Sequence, residues 1–328
     1  MKLATYRLDG ANRVGAVDVE KGRVFDLAVA AGMAGASAAP FASMQALIDA
    51  DDAGLDLARE LFDKHALQPS LWADLDVVEL LAPLPEPRLM RDCMSYATHI
   101  RQSARGGAAR LAALQGGQAE FEKAMGKPLG DLPEIYRQMP IYYITNRFVV
   151  VGPDATVRWP RYSHEIDYEL EIAVVTRGTR ANIPEAEAAQ HIFGYTIFND
   201  FSARDKQRTE MAGRLGPAKG KSFDGANVLG PWIVTPDELG DPETLNVEVR
   251  VNGETRARGT TAGMLFTFAQ ILAYASQDET IRAGEVFGSG TVGNCCGLEL
   301  GRFLQSGDVV ELHVDRIGAL RNRVVTQD

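Results

Sequence analysis

The chain has 328 residues, 45% apolar and 24% charged, which is the balance of a soluble globular protein with room for one large domain and a smaller one. A formal net charge of −10 and the lack of any Lys/Arg run argue against a nucleic-acid or anionic-membrane partner. Cys93, Cys295 and Cys296 make neither a disulfide framework nor a C-x-x-C zinc site, no apolar run reaches the length of a membrane span, and MKLATYRLDG lacks the apolar stretch of a secretory leader, so a reduced, cytoplasmic protein is expected.

Lys2–Leu8 and residues 13–19 read as strands around a turn at Asp9–Asn12, and residues 23–27 follow a second turn at Lys21-Gly22. Residues 41–65 carry helical spacing, with Met44, Leu47, Ile48, Leu55, Ala58 and Leu61 apolar. Pro83, Pro85 and Pro87 alternate in a stretch that can be neither helix nor central strand. A domain boundary is placed there, with a small N-terminal α/β domain at 1–82 and a larger domain at 83–328. Residues 91–139 read as helical with glycine breaks at Gly106-Gly107 and Gly116-Gly117, and 100–139 suits a lid or a plain surface insertion.

After Pro140 the pattern turns to strands at 142–152, 166–176, Asn246–Val251 and Val309–Val314. Asn252-Gly253 predicts a tight hairpin, and 266–275 one short helix. Strands cluster without a βαβ rhythm, so the fold class is α+β and β-rich. Gly288-Ser-Gly290-Thr-Val-Gly293 matches G-x-G-x-x-G but lacks the following helix of a dinucleotide site. The run Gly216–Ser222 is one residue too short between its glycines for a phosphate loop.

The most informative stretch is Glu165-Ile166-Asp167-Tyr168-Glu169-Leu170-Glu171-Ile172. In a strand, side chains alternate faces, so four acids share one face and four apolar residues the other. Such a face needs solvent or a cation, and carboxylates at i and i+2 can share one hard divalent ion.

About thirty residues on come Asn199-Asp200-Phe201-Ser202-Ala203-Arg204-Asp205-Lys206-Gln207, then Gly220-Lys221-Ser222-Phe223-Asp224, Leu229-Gly230-Pro231-Trp232, Gly288-Ser289-Gly290-Thr291 and Leu298-Glu299-Leu300. In this order and spacing, from Arg91 to the C-terminus, the set resembles the fumarylacetoacetate hydrolase family, closer to its fumarylacetoacetase-type branch. The resemblance implies a mixed β-sandwich or β-roll catalytic domain, a homodimer formed through it, and a place in aromatic amino acid catabolism. It implies Mg²⁺, or Ca²⁺ or Mn²⁺, held by Glu169, Glu171 and Asp200. Asp92 is a fourth ligand or else a helix cap. His99, seven residues after Asp92, resembles the general base, and Glu299, in what resembles the family's Leu-Glu-Leu strand after the S-G-T motif, its orienting acid, because the Glu that another branch places three residues after the histidine is Gln102 here. Lys221 resembles the lysine facing the metal. Tyr143, Gln207, Arg204 and Thr291 resemble substrate-binding or loop-holding positions. Glu165 and Asp167 are left to solvent or to Arg and Lys partners, and His164 is open to an outer role around the site. Met211 stands where the fumarylacetoacetase branch has a tyrosine, which tells against fumarylacetoacetate itself.

The activity implied is hydrolysis of a C–C bond in a β-diketo acid, fumarylacetoacetate- or acylpyruvate-like, by water activated at His99 with an enolate leaving group. The alternative is decarboxylation, isomerisation or hydration of a small 2-keto acid at the same site. An inert binding module would have lost carboxylates that are all present.

Overall fold

A computed structural model describes residues 1–327. Its spine is a twelve-stranded mixed sheet. From one edge the order of ten strands runs Trp72–Asp74, Arg23–Asp26, Ala11–Asp18, Lys2–Leu8, Asn227–Val234, Ile192–Asp200, Leu170–Thr176, Val286–Gly288, Met90–Cys93 and Tyr142–Thr145, with Glu79–Leu80 pairing with Lys2–Leu8 and Val150–Val151 with Asn227–Val234 off this path. A five-stranded sheet, Glu254–Thr260, Asn246–Val251, Val309–Val314, Gly318–Val325 and Thr156–Arg158, packs on it. The fold is thus α+β and β-rich, as the pattern predicts. The Asn252-Gly253 turn closes a hairpin, with both residues at positive φ.

The two faces of the large sheet bury separate cores. One core joins Ile172, Val174, Ile197 and Val228 to Val247, Val249, Leu312 and Leu320 of the small sheet. The other joins Ala173, Val175, Phe193 and Ile233 to Leu47, Leu55 and Leu61 of the N-terminal helices. The run 172–175 is therefore buried on both sides, which is why it is apolar at every position rather than at alternate ones. The N-terminal segment extends this same sheet, through Lys2 opposite Val234 and Leu3 opposite Ile233.

Several elements differ from their sequence reading. The acidic stretch is two strands, Ile166–Asp167 and Leu170–Thr176, because Ile166–Asp167 leaves the large sheet to pair with Ser202–Ala203. The helix expected at 41–65 is interrupted at Asp51, whose φ of 53° starts a new helix, Asp51–His65, after Met44–Asp49. Residues 90–93 are not helical but a central strand, parallel to Val286–Gly288. The long helix behind it, Ala97–Met125, breaks only at Gly117, where φ is 74°. The strand expected at 142–152 stops at Thr145 and gives way to a 3₁₀ turn, Arg147–Val149, begun by the Asn146 side chain accepting from the Phe148 amide. Among the described residues no helix is long and apolar enough to cross a membrane.

Candidate active site

The end of the large sheet gathers carboxylates from three of four consecutive strands. Asp92 lies on Met90–Cys93, Glu171 on Leu170–Thr176 and Asp200 at the end of Ile192–Asp200. Each offers an oxygen within 4.8 Å of those of the other two. All three are buried. Burial pushes all three pKa values up, and repulsion from neighbouring acids, Asp92 among them, pushes Glu171 and Asp200 further, whereas hydrogen bonding to these two partly offsets the rise at Asp92. Asp92 Oδ1 and Asp200 Oδ1 are buried without a hydrogen-bond partner. The strand between Asp92 and Glu171 presents Gly288, where a Cβ would stand 2.6 Å from Asp92 Oδ1 and 2.7 Å from Glu171 Oε2. The residues therefore fit a hard divalent cation: three oxygen donors, two of them with an unmatched atom, and a glycine that keeps the space between them open. Tyr143 donates to Asp200 Oδ2 at 2.9 Å, and the Gly290 amide donates to Glu171 Oε2 at 3.0 Å, so each of these carboxylates is also oriented.

Glu169 sits beside this triad with different neighbours. Arg204 Nη2 donates to its Oε1 at 2.6 Å, Ser202 Oγ to its Oε2 at 3.3 Å, and Lys221 bridges it to Asp200. Burial opposes its ionisation, but Arg204 and Lys221 outweigh that and hold its carboxyl well below the usual range. The same acids overcome the burial of Lys221 and raise its pKa, so the ammonium stays charged inside the protein.

His99 projects from the first turn of the long helix. Its Nδ1 lies 3.0 Å from Glu299 Oε1, and its Nε2 faces the carboxylates, 3.9 Å from Glu169 Oε1. Glu299 stands not on a strand, as expected, but on a one-turn helix, Gly297–Leu300. There its Oε2 accepts the Cys296 amide at 3.0 Å, which fixes the carboxylate while Oε1 faces the imidazole. Cys296 Sγ lies in the same group as His99 and Glu299, and burial pushes its thiol pKa up, keeping it neutral. The long helix reaches this turn because residue 106 is glycine, since a Cβ there would collide with the Leu298 carbonyl.

The remaining expected residues are spread. Gln207 is turned to Arg204, accepting from its Nη1 at 3.0 Å. Arg204 binds Glu169 and Asp167 together. Thr291 is buried in the loop after Gly290. His164 is exposed and takes no part in the site, and Met211 is 52% exposed. Glu165 does not meet solvent but pairs with Arg110 at 2.7 Å and Arg208 at 3.2 Å. Asp167 is fully buried against Arg204. Gly288, Ser202 and Cys296 carried no sequence reading of their own. Gly288 and Ser202 lay inside quoted motifs, Gly288-Ser289-Gly290-Thr291 and Asn199–Gln207, while Cys296 had only its vicinal cysteine as a signal.

Residues 111–325 match the protein family described as fumarylacetoacetate (FAA) hydrolase, C-terminal. The chain is 31% identical over 285 residues to the oxaloacetate tautomerase YisK of Bacillus subtilis, covering 80% of this chain and 82% of that protein. It is 38% identical over 188 residues to a mitochondrial oxaloacetate tautomerase of Xenopus laevis, covering 56% of this chain but only 57% of that protein. Among solved structures, a fumarylacetoacetate hydrolase from Exiguobacterium antarcticum matches along the whole of both chains, with TM-score 0.70 and 28% identity.

Proposed function

The chain belongs to the fumarylacetoacetate hydrolase family, and from that premise we propose that it hydrolyses a C–C bond in a small β-diketo acid of the acylpyruvate or fumarylacetoacetate type. The observation that carries this reading is the His99–Glu299 contact of 3.0 Å, with the free ring nitrogen turned toward the carboxylate cluster. Asp92, Glu171 and Asp200, with Glu169 alongside, would hold a divalent ion of the Mg²⁺, Mn²⁺ or Ca²⁺ kind. When bound, that ion supplies Lewis-acid polarisation of the substrate oxygens.

Glu299 accepts a hydrogen bond from His99 Nδ1–H and so leaves Nε2 unprotonated as a base for water. Lys221, held charged by Asp200 and Glu169, stabilises negative charge on the departing enolate. Tyr143 and Thr291 are the proposed substrate contacts. Gln207 joins them only after leaving Arg204, and Arg204 itself holds the acid loop. Residues 100–139 are proposed as the lid, and a homodimer as the assembly.

A second reading, keto–enol tautomerisation of oxaloacetate, is favoured by the 31% identity to an oxaloacetate tautomerase over most of both chains. It uses the same base and needs no attacking water. Assaying acylpyruvates and oxaloacetate side by side, with EDTA and with Mg²⁺ or Mn²⁺, tests both. Cleavage of an acylpyruvate to pyruvate and a carboxylic acid supports the first. Enol loss from oxaloacetate without acylpyruvate cleavage replaces it with the second, and inactivity on both removes the keto-acid reading.

A further inference from the structure

We propose that Asp167 is a positioning residue that holds the catalytic base and the acid cluster in one register. This rests on the reading of His99 and Glu299 as the base pair. The Asp167 carboxylate is fully buried and takes four hydrogen bonds and one further ion-pair contact. Oδ1 accepts the amides of Tyr168 at 2.9 Å and Gly297 at 2.6 Å. Oδ2 accepts the Leu298 amide at 2.8 Å, and Arg204 reaches it from Nε and Nη2, each at 2.8 Å.

Gly297 and Leu298 are the first two residues of the one-turn helix that carries Glu299. A helix of that length has almost no stability of its own, because nucleation costs more than its few bonds return. Its leading N–H groups need acceptors, and Cys296, which stands before it, offers only a weak thiol acceptor. The buried carboxylate from 130 residues upstream takes that role. Gly297 permits the approach, since a Cβ there would run into Asp167 Oδ1 and the Arg302 carbonyl.

The other end of the arrangement is Arg204. Its Nη2 lies 2.8 Å from Asp167 and 2.6 Å from Glu169 Oε1, the atom that His99 Nε2 approaches at 3.9 Å. One guanidinium thus ties Asp167 to Glu169, and one carboxylate ties that guanidinium to the turn bearing Glu299. The two nitrogens of His99 face opposite ends of this chain, Glu299 at Nδ1 and Glu169 at Nε2. Moving Asp167 disturbs both. The Tyr168–Glu169 gap between the two short acidic strands gives Asp167 its place, because it lets the chain leave the large sheet while Glu171 stays in it.

Asn at 167 keeps the size but replaces one acceptor oxygen with an NH₂ that faces amide and guanidinium donors. The test compares wild type with Asp167→Asn and, as a second variant that keeps the charge, Asp167→Glu. Folding is followed by circular dichroism, turnover on the keto acid by kcat and KM, and the imidazole by the downfield proton resonance of His99 Nδ1, assigned through its loss in His99→Gln. The account expects folded Asp167→Asn with kcat lower by about 10- to 100-fold, KM within about threefold, and the Nδ1 resonance shifted or lost. Asp167→Glu should fall between it and wild type. An unchanged resonance or an unchanged kcat in a folded variant overturns the proposal. If both variants fail to fold, Asp167 is a folding residue and the proposal is overturned as well. A wild type that turns over no keto acid, with the resonance still lost in Asp167→Asn, removes the proposed function and leaves the positioning role standing.

Discussion

Two carboxylate environments lie side by side along residues 165–171. Glu165, Asp167 and Glu169 each meet a guanidinium, from Arg110 and Arg208, from Arg204, and from Arg204 again together with Lys221. Glu171 meets no cation. It has the Gly290 amide and two further acids, Asp92 and Asp200. Matched acids are structural ties, and their charge is settled within the protein. Unmatched acids in a buried cluster leave a charge deficit that protons or a metal ion must fill. The contrast assigns roles within one acidic stretch that hydropathy alone treats as uniform.

The largest effect expected on turnover comes from His99→Ala. Loss of a general base lowers rates by about 100- to 10,000-fold, and the metal-induced rise in melting temperature should remain, since His99 lies outside the triad. Near-normal turnover in that variant removes the water-activation role. Glu299→Gln follows. The amide can still approach Nδ1 but no longer carries the charge that favours its proton, and a loss of about 10- to 100-fold in kcat is expected at nearly constant KM.

The third prediction concerns pH. Asp92, Glu171 and Asp200 have pKa values raised in the folded state, by burial first and, at Glu171 and Asp200, also by repulsion from Asp92. Folding therefore tightens their protons. The stability they contribute is complete below the ordinary carboxylate range and is lost as pH rises through the raised values. Metal-free protein should gain melting temperature as pH falls through the raised values toward the ordinary carboxylate range, and added Mg²⁺ should stabilise most at the upper end, where it displaces the fewest protons. Glu171→Gln should flatten that profile. A wild-type profile as flat as the variant's contradicts the raised values. The smallest effect belongs to Glu165→Gln, which loses two partly exposed ion pairs and should cost about 1 kcal/mol in chemical denaturation with metal response intact.

How much of this was legible in the sequence follows the range of the interactions. The β-rich class, the Asn252-Gly253 hairpin and the ordered family motifs are local patterns, and they stand in the structure. His99, Glu171, Asp200 and Asp92 could be named because motif order places them, and the structure brings Asp92, Glu171 and Asp200 together and sets His99 against Glu299. The reading failed where pairing is distant. Asp167 reads as open to solvent or to an Arg or Lys partner; it does meet Arg204, but the amides it caps, 130 residues away, leave no local sign. Glu299 appeared to be on a strand because a one-turn helix has no periodicity to detect. Nothing local announces that Leu3 pairs with Ile233 and so joins the N-terminal segment to the large sheet.

The central claim is that the Asp92–Glu171–Asp200 cluster, where Lys221 on Asp200 is the one cation in contact among the described residues, and not the arginine-paired Glu165, holds a divalent ion. Isothermal titration of Mn²⁺ into metal-free protein tests it most directly, with wild type, Glu171→Gln and Glu165→Gln compared at one pH. The account predicts one ion per chain in wild type and in Glu165→Gln, with affinity falling by about 100-fold or more in Glu171→Gln, where a charged oxygen ligand is lost. Equal binding by wild type and Glu171→Gln, or loss of binding in Glu165→Gln, would contradict it.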